Sequence, residues 1–171
     1  LYKRCNATTQ QNTTEAYNMA ITQAMSTLFK KDVLLGDHHL DTDVIMIALY
    51  TSSATLNATT DGYITSGQVA NGNGYTTGGV ALANKAVTED TNSGSTTAGS
   101  GIFDADDPQW TSATFTAAGA LIYNKTLGDA TSNTRGAIAI LNFGGDFSVS
   151  GGTFRIVFPA ATRNTAIVRI D

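Results

Sequence analysis

The sequence predicts a mostly β fold: an antiparallel β-sandwich, of jelly-roll or immunoglobulin-like type, with one N-terminal amphipathic α-helix. Three observations predict it. Short apolar runs rich in β-branched residues recur between clusters of Gly, Asn, Ser and Thr, the pattern of strands joined by turns. Hydrophobic residues make up 42% of the chain and charged residues only 14%, whereas long surface helices carry more Lys and Glu. Gly (17 residues) is common and Pro (2 residues) nearly absent, which suits β structure with Gly-rich turns.

Residues 1–12 are polar without hydrophobic period and read as a flexible N-terminal arm. The remainder, 13–171, reads as a single β-rich domain, because no fixed repeat or break divides it. Tyr17, Ile21, Ala24, Met25 and Leu28 fall at helical spacing and predict the helix over about 13–31. Asn12 would be its N-cap, with Glu15 as reciprocal partner. Lys30 and Lys31 would lie at the negative end of its dipole, and Gly36 falls just beyond. Asp43–Tyr50 (DVIMIALY) predicts a strand buried on both faces, one against the sheet core and one under the helix or a neighbouring subunit.

Thr51–Gly79 is turn-rich, with Asn71-Gly72-Asn73-Gly74 as its densest signal and a short strand fitting Gly62–Val69. Val80–Val87 predicts a strand, and residues 88–100 an exposed polar connection. Five strands follow at Gly101–Asp104, Gln109–Thr116, Ala118–Tyr123, Ala137–Phe143 and Phe154–Phe158, and a last one at Ala166–Ile170. A length of 171 residues buries roughly 70% of the unfolded surface, so no metal or disulfide is required for stability.

The net charge is −4, and the 10 Lys and Arg are scattered; Lys3-Arg4 with Lys30-Lys31 is too small a cluster to neutralise a duplex. Nucleic acid is therefore not an expected partner. No apolar run approaches the ~20 residues of a membrane helix, and no signal-peptide core is visible, so no membrane association is expected. Cys5 is the only cysteine, which excludes an intrachain disulfide. The chain begins at Leu1 rather than Met, which leaves a missing leader or first segment open.

Asp37, His38, His39, Asp41 and Asp43 form the most suggestive polar cluster, since His and carboxylates ligate zinc or calcium. These are the only two histidines, and no second ligand group of matching spacing exists. A loop and strand start, where Asp bonds nearby amides, explains the run better. Asp104, Asp106 and Asp107 lack the loop pattern of an EF-hand, and Pro108 marks a turn. No G-x-S-x-G elbow is present. Gly72-Asn73-Gly74 with Gly78 and Gly79 misses the G-x-G-x-x-G spacing and its strand–helix context.

Glu15 and Glu89 are the only glutamates and have no matched acid–base partner. Asn6, Asn12, Asn57 and Asn124 each open an N-x-T triplet, which chance explains in so Asn- and Thr-rich a chain. Trp110, the sole Trp, reads as a core or interface anchor. The expectation is a non-enzymatic protein, with no catalytic residue, metal, cofactor or small-molecule substrate.

The order of features is informative. The helix leads into Asp41-Thr42-Asp43-Val44-Ile45-Met46-Ile47-Ala48-Leu49-Tyr50, then Gly74-Tyr75-Thr76-Thr77-Gly78-Gly79-Val80-Ala81-Leu82. Phe103-Asp104-Ala105-Asp106-Asp107-Pro108-Gln109-Trp110 and Ala118-Gly119-Ala120-Leu121-Ile122-Tyr123 follow. The close is Ile138-Ala139-Ile140-Leu141-Asn142-Phe143-Gly144-Gly145 with Gly151-Gly152-Thr153-Phe154-Arg155-Ile156. Over residues 13–171 this order resembles a family of small tailed-phage virion structural proteins of the head decoration (cement) type.

The resemblance implies a virion protein on the outer capsid surface, bridging major capsid proteins and associating with copies of itself, for example as trimers through strand edges. Its alternative is a tail or head–tail-junction protein, in one form a host-surface glycan adhesion module using the loops at 57–79 and 88–100. The acidic balance fits an outward-facing protein better than one touching packaged DNA.

Overall fold

The computed structural model describes residues 20–90, 99–162 and 164–170. The predicted arm at 1–12, the Asn12–Glu15 capping box, Cys5 and most of the 88–100 connection lie outside these residues. Ten elements follow in chain order: β1 (Ala24–Met25), α1 (Thr27–Leu35), β2 (Ile45–Tyr50), β3 (Val80–Ala81), β4 (Ala86–Asp90), β5 (Ser100–Asp104), β6 (Gln109–Asn124), α2 (Lys125–Ala130), β7 (Ala137–Arg155) and β8 (Val168–Ile170). The strands form two sheets, one of five in the order β1-β7-β6-β2-β3 and one of three in the order β4-β5-β8. Every strand pair is antiparallel.

The centre of the five-stranded sheet is covered on both faces. Along β2, Ile45, Ile47 and Leu49 enter the main core with Phe29 of α1, Trp110, Ile122 and Ile138, and with Phe103 and Val168 of the smaller sheet. Ala48 and Tyr50 point the other way, into a second core with Ile21, Ala54, Leu56, Leu121, Tyr123 and Ile140. The covering layer there is the irregular 51–79 segment and Ile21, where a helix or neighbouring subunit was expected. Tyr50 Oη anchors that layer by donating to the Ile64 carbonyl at 2.5 Å. Gly79, at φ +81°, lets it return to the sheet, since a Cβ there would sit 1.8 Å from the Ile47 carbonyl oxygen.

The predicted helix over 13–31 is corrected. Residues 13–19 lie outside the described residues, Ile21 sits in extended chain, and Ala24–Met25 pair with Ile140 and Ala139 of β7. The helix starts one strand later, at Ser26, whose hydroxyl accepts the Phe29 N–H at 3.5 Å. It ends at Gly36 in the left-handed conformation (φ 75°), with Gly36 and Asp37 N–H groups returning to the Val33 and Asp32 carbonyls. Lys30 and Lys31 therefore lie in the middle of the helix. The apolar spacing at Ile21–Met25 was real, but sheet burial satisfied it.

Other boundaries shift as well. Gly62–Val69 forms no strand and contributes only an isolated bridge from Gln68 to Tyr50. Val80–Val87 splits into β3 and β4, which belong to different sheets, and Thr88–Asp90 extend β4 instead of opening a loop. Gln109–Thr116 and Ala118–Tyr123 fuse into β6, while Ala137–Phe143 joins the start of Phe154–Phe158 in β7, which stops at Arg155. The short helix α2, capped by Asn124, fills a stretch left unassigned between two strands.

Candidate functional site

Two features carry the exposed chemistry, and the first is the predicted histidine–aspartate cluster. The turn after α1 packs against the end of β6 and the loop before β7. Asn124, fully buried, holds the three together. Its Oδ1 accepts the Leu127 N–H at 3.0 Å, its Nδ2 donates to Asp43 Oδ2 at 2.5 Å, and the same Nδ2 lies 3.3 Å from His38 Nδ1. Asp43 Oδ2 also accepts the His39 N–H at 3.0 Å. With Nδ1 accepting from Asn124, neutral His38 carries its proton on Nε2, which is buried and has no hydrogen-bond partner.

Burial lowers the His38 pKa, outweighing the pull of Asp32 and Asp43. Its ring meets Phe29 edge-on at 4.8 Å. Beside it, Arg135 Nε donates to buried Asp32 Oδ2 at 3.0 Å, and Nη2 reaches Asp37. Arg135 Nη2 also lies 2.7 Å from Asp32 Oδ1, an ion pair by distance that makes no hydrogen bond in the geometry present. The hydrogen bonds to Asp32 and Asp37 raise the Arg135 pKa above its ordinary value.

The carboxylates of this cluster thus bind a guanidinium, an amide and a backbone N–H. The side chains of His39 and Asp41 are exposed and do not join. Among the described residues, no group of three or more His, Cys, Asp or Glu side chains converges to hold a metal ion. Sequence reasoning found Asp37, His38 and Asp43 but not Asn124 and Arg135, which are distant in the chain, nor Asp32, which lies within α1 just before the cluster. Next to the cluster, an apolar recess of about 430 Å³ opens between Phe29, Val33, Leu40, Phe103 and Val168.

The remaining candidates are placed separately. Asp106 accepts from Asn84 Nδ2 at 2.6 Å. Asp107 accepts the Phe158 N–H at 2.8 Å and pairs with Arg155 at 2.7 Å; both contacts, the N–H first, lower its pKa. Gly72 and Tyr75 exchange backbone hydrogen bonds in a tight turn. Asn57 Oδ1 accepts the Thr59 N–H at 2.8 Å, and Asn124 is enclosed, so both play structural parts. Trp110 is a core residue at 3% exposure.

The second feature was not anticipated. Beyond the sheet centre, β6 and β7 continue as a two-stranded arm, pairing Phe115 with Val149, Ala117 with Phe147 and Trp110 with Phe154. Ring contacts run outward from Tyr75 and Trp110 through Phe154 (6.0 Å from Trp110) to Phe143 (6.1 Å from Phe154) and Phe147 (6.2 Å from Phe143). The main core therefore continues onto one face of the arm and ends in the open at Phe147, which is 53% exposed. A recess of about 300 Å³ lies among Phe143, Phe147, Phe154 and Val157. The other face is hydroxylic, with Thr116 and Ser148 2.7 Å apart. Aromatic residues recurring at Phe115, Phe143, Phe147 and Phe154 were the available signal.

No family model, curated protein or solved structure matches the chain.

Proposed function

We propose that this chain is an assembly protein that works by packing against protein neighbours, and specifically a virion structural protein that decorates the outer surface of a phage head. The carrying observation is the half-exposed aromatic face of the β6–β7 arm, contiguous with the main core. Exposed apolar surface rimmed by polar residues marks protein contact sites, and aromatic anchors supply much of their binding energy. The location rests on the order of sequence features that resembles phage head decoration proteins. Its partners would be the major capsid protein and copies of this chain. The five- and three-stranded sheets around one core support a sandwich as the scaffold.

In this role many modest contacts repeat across a lattice, so that avidity replaces a single tight site. The test is mass spectrometry of heads and tails separated from purified particles of the phage that encodes the chain. Stoichiometric presence on heads supports the reading. Recovery on tails alone assigns the arm to tail contacts and overturns the head location. Absence from both refutes the virion assignment.

A further inference from the structure

We infer that the outer edge of β7 is a two-fold self-pairing surface on which a second copy of this chain lays its own β7 antiparallel. The inference rests on the assembly reading and names the surface through which copies meet. One edge of β7 is taken by β6. On the other edge β1 pairs only with Ala139 and Ile140, so among the described residues no strand covers it from Leu141 to Arg155. Proteins protect such edges with lysines, prolines or a covering loop, because the bare backbone is a template for another strand. This stretch contains no lysine and no proline, and a Cβ added at Gly144, Gly145 or Gly151 would meet nothing within 4 Å.

The chemistry along the edge is its own complement. Asp146 and Arg155 are the only charged residues between Gly136 and Thr162. Within the chain Asp146 accepts from Ser52 Oγ at 3.5 Å and the exposed Arg155 pairs with Asp107 at 2.7 Å. A two-fold axis through the Ser150–Gly151 bond adds to each the opposite charge of the second copy, Asp146 facing Arg155. The same register sets Phe147 opposite Phe154 and Ser148 opposite Thr153, and the glycines at the centre let the strands approach. The faces agree too. Phe147 and Phe154 both contact Phe143 on the aromatic face; alternation turns Asp146 and Arg155, next to them in sequence, toward the other face, with Arg155 also bordering the aromatic recess.

That agreement depends on the bulge between Val149 and Gly152, where two residues of β7 oppose one of β6 and the side-chain alternation reverses. Gly151, at φ +64°, supplies the required backbone, and its N–H is fixed by Thr114 Oγ1 at 2.9 Å. Pairing joins two five-stranded sheets edge to edge and makes one continuous aromatic strip from two arms. The interface is isologous, as expected for a closed pair. The exposed ion pair fixes the register, and the backbone bonds and rings supply the affinity.

The test is sedimentation of the full chain over a concentration series to roughly 100 µM, which spans the micromolar range of modest interfaces. Wild type is expected to dimerise. Asp146→Arg places like charges opposite each other twice and is expected to weaken the dimer about tenfold or more. Arg155→Asp does the same but also loses the pair with Asp107, so it is made together with Asp107→Asn, whose Oδ1 still accepts the Phe158 N–H; mixing this variant with Asp146→Arg restores a heterodimer because both contacts become attractive. Circular dichroism checks that each variant keeps its strands. Independently, Ser148→Cys/Thr153→Cys in a Cys5→Ser background is expected to oxidise to a covalent dimer, since roughly 15 Å of strand separates the two thiols within one chain.

A monomeric wild type overturns the inference, as does a dimer indifferent to charge reversal or a mixture that stays monomeric. A monomer that still occupies heads refutes the pairing and leaves the assembly reading intact. A dimer absent from particles does the reverse.

Discussion

Replacing Asn124 with Ala is predicted to destabilise the fold far more than its modest size implies. The side chain is fully buried and satisfies three elements at once. Its Oδ1 caps α2 through the Leu127 N–H, a contact whose loss costs about 1 kcal/mol. Its Nδ2 donates to the Asp43 carboxylate, and losing a hydrogen bond to a charged group costs about 2 kcal/mol more. The total of about 3 kcal/mol corresponds to a fall in Tm of about 6–12 °C for a chain of this size. The control is Asn57→Ala, which removes an exposed turn contact and is predicted to cost under about 1 kcal/mol. Reversible urea unfolding of both variants, with slopes compared against wild type, measures the difference. Equal midpoints for the two variants would refute the claim that Asn124 ties the turn, β6 and α2 together.

Three further outcomes are expected. His38 has a folded pKa below its unfolded value because of burial, so the unfolded chain binds the proton more readily. Stability is therefore full above about pH 6.5 and falls as pH drops toward the folded pKa; His38→Gln should flatten that part of a Tm-versus-pH curve, and an unchanged curve would contradict it. Burial pushes the Tyr75 hydroxyl up to about 12, so its contribution is full below about pH 10 and is lost as pH rises toward 12. Tyr75→Phe should lessen that alkaline loss while costing about 1–3 kcal/mol at neutral pH, because the Leu49 N–H loses its acceptor; chemical denaturation at pH 7 and 11 reads both. Gly79→Ala should abolish soluble expression or lower Tm severely, since its Cβ meets β2 backbone, whereas Gly36→Ala, equally left-handed but open, should cost about 1 kcal/mol by thermal melting.

The parts of the fold that were legible in the sequence are those fixed by local composition. The strand at Ile45–Tyr50 was readable because a short, unbroken β-branched run buried on both faces leaves few alternatives. Gly36 falls a few residues past a helix predicted to end near residue 31; it is in fact the cap of a helix that runs to Leu35, since a residue without Cβ takes the left-handed conformation cheaply. The start of that helix was misplaced because Ile21 and Met25 show the spacing of a helical stripe, while it is the sheet that buries Ile21 and half-buries Met25. The joining of two predicted strands into β6 was hidden, because the pattern changes at Ala117 from a mixed polar and apolar run (Gln109–Thr116) to a continuous apolar one (Ala118–Tyr123), which reads as two strands.

The polar cluster was half legible. Asp37, His38 and Asp43 stand close in sequence, but Asn124 and Arg135 reach them only through sheet pairing. The aromatic face escaped notice for the same reason. Its residues come from two strands and line up only when β6 and β7 pair with the bulges at Gly144 and Gly151 in place.

Cryo-EM of the intact particle tests the assembly claim most directly, by showing what lies against Phe143, Phe147, Phe154 and Val157. The account predicts that another protein chain covers these side chains on the head. Density in which the arm projects into solvent, with those rings uncovered in every copy, would contradict it.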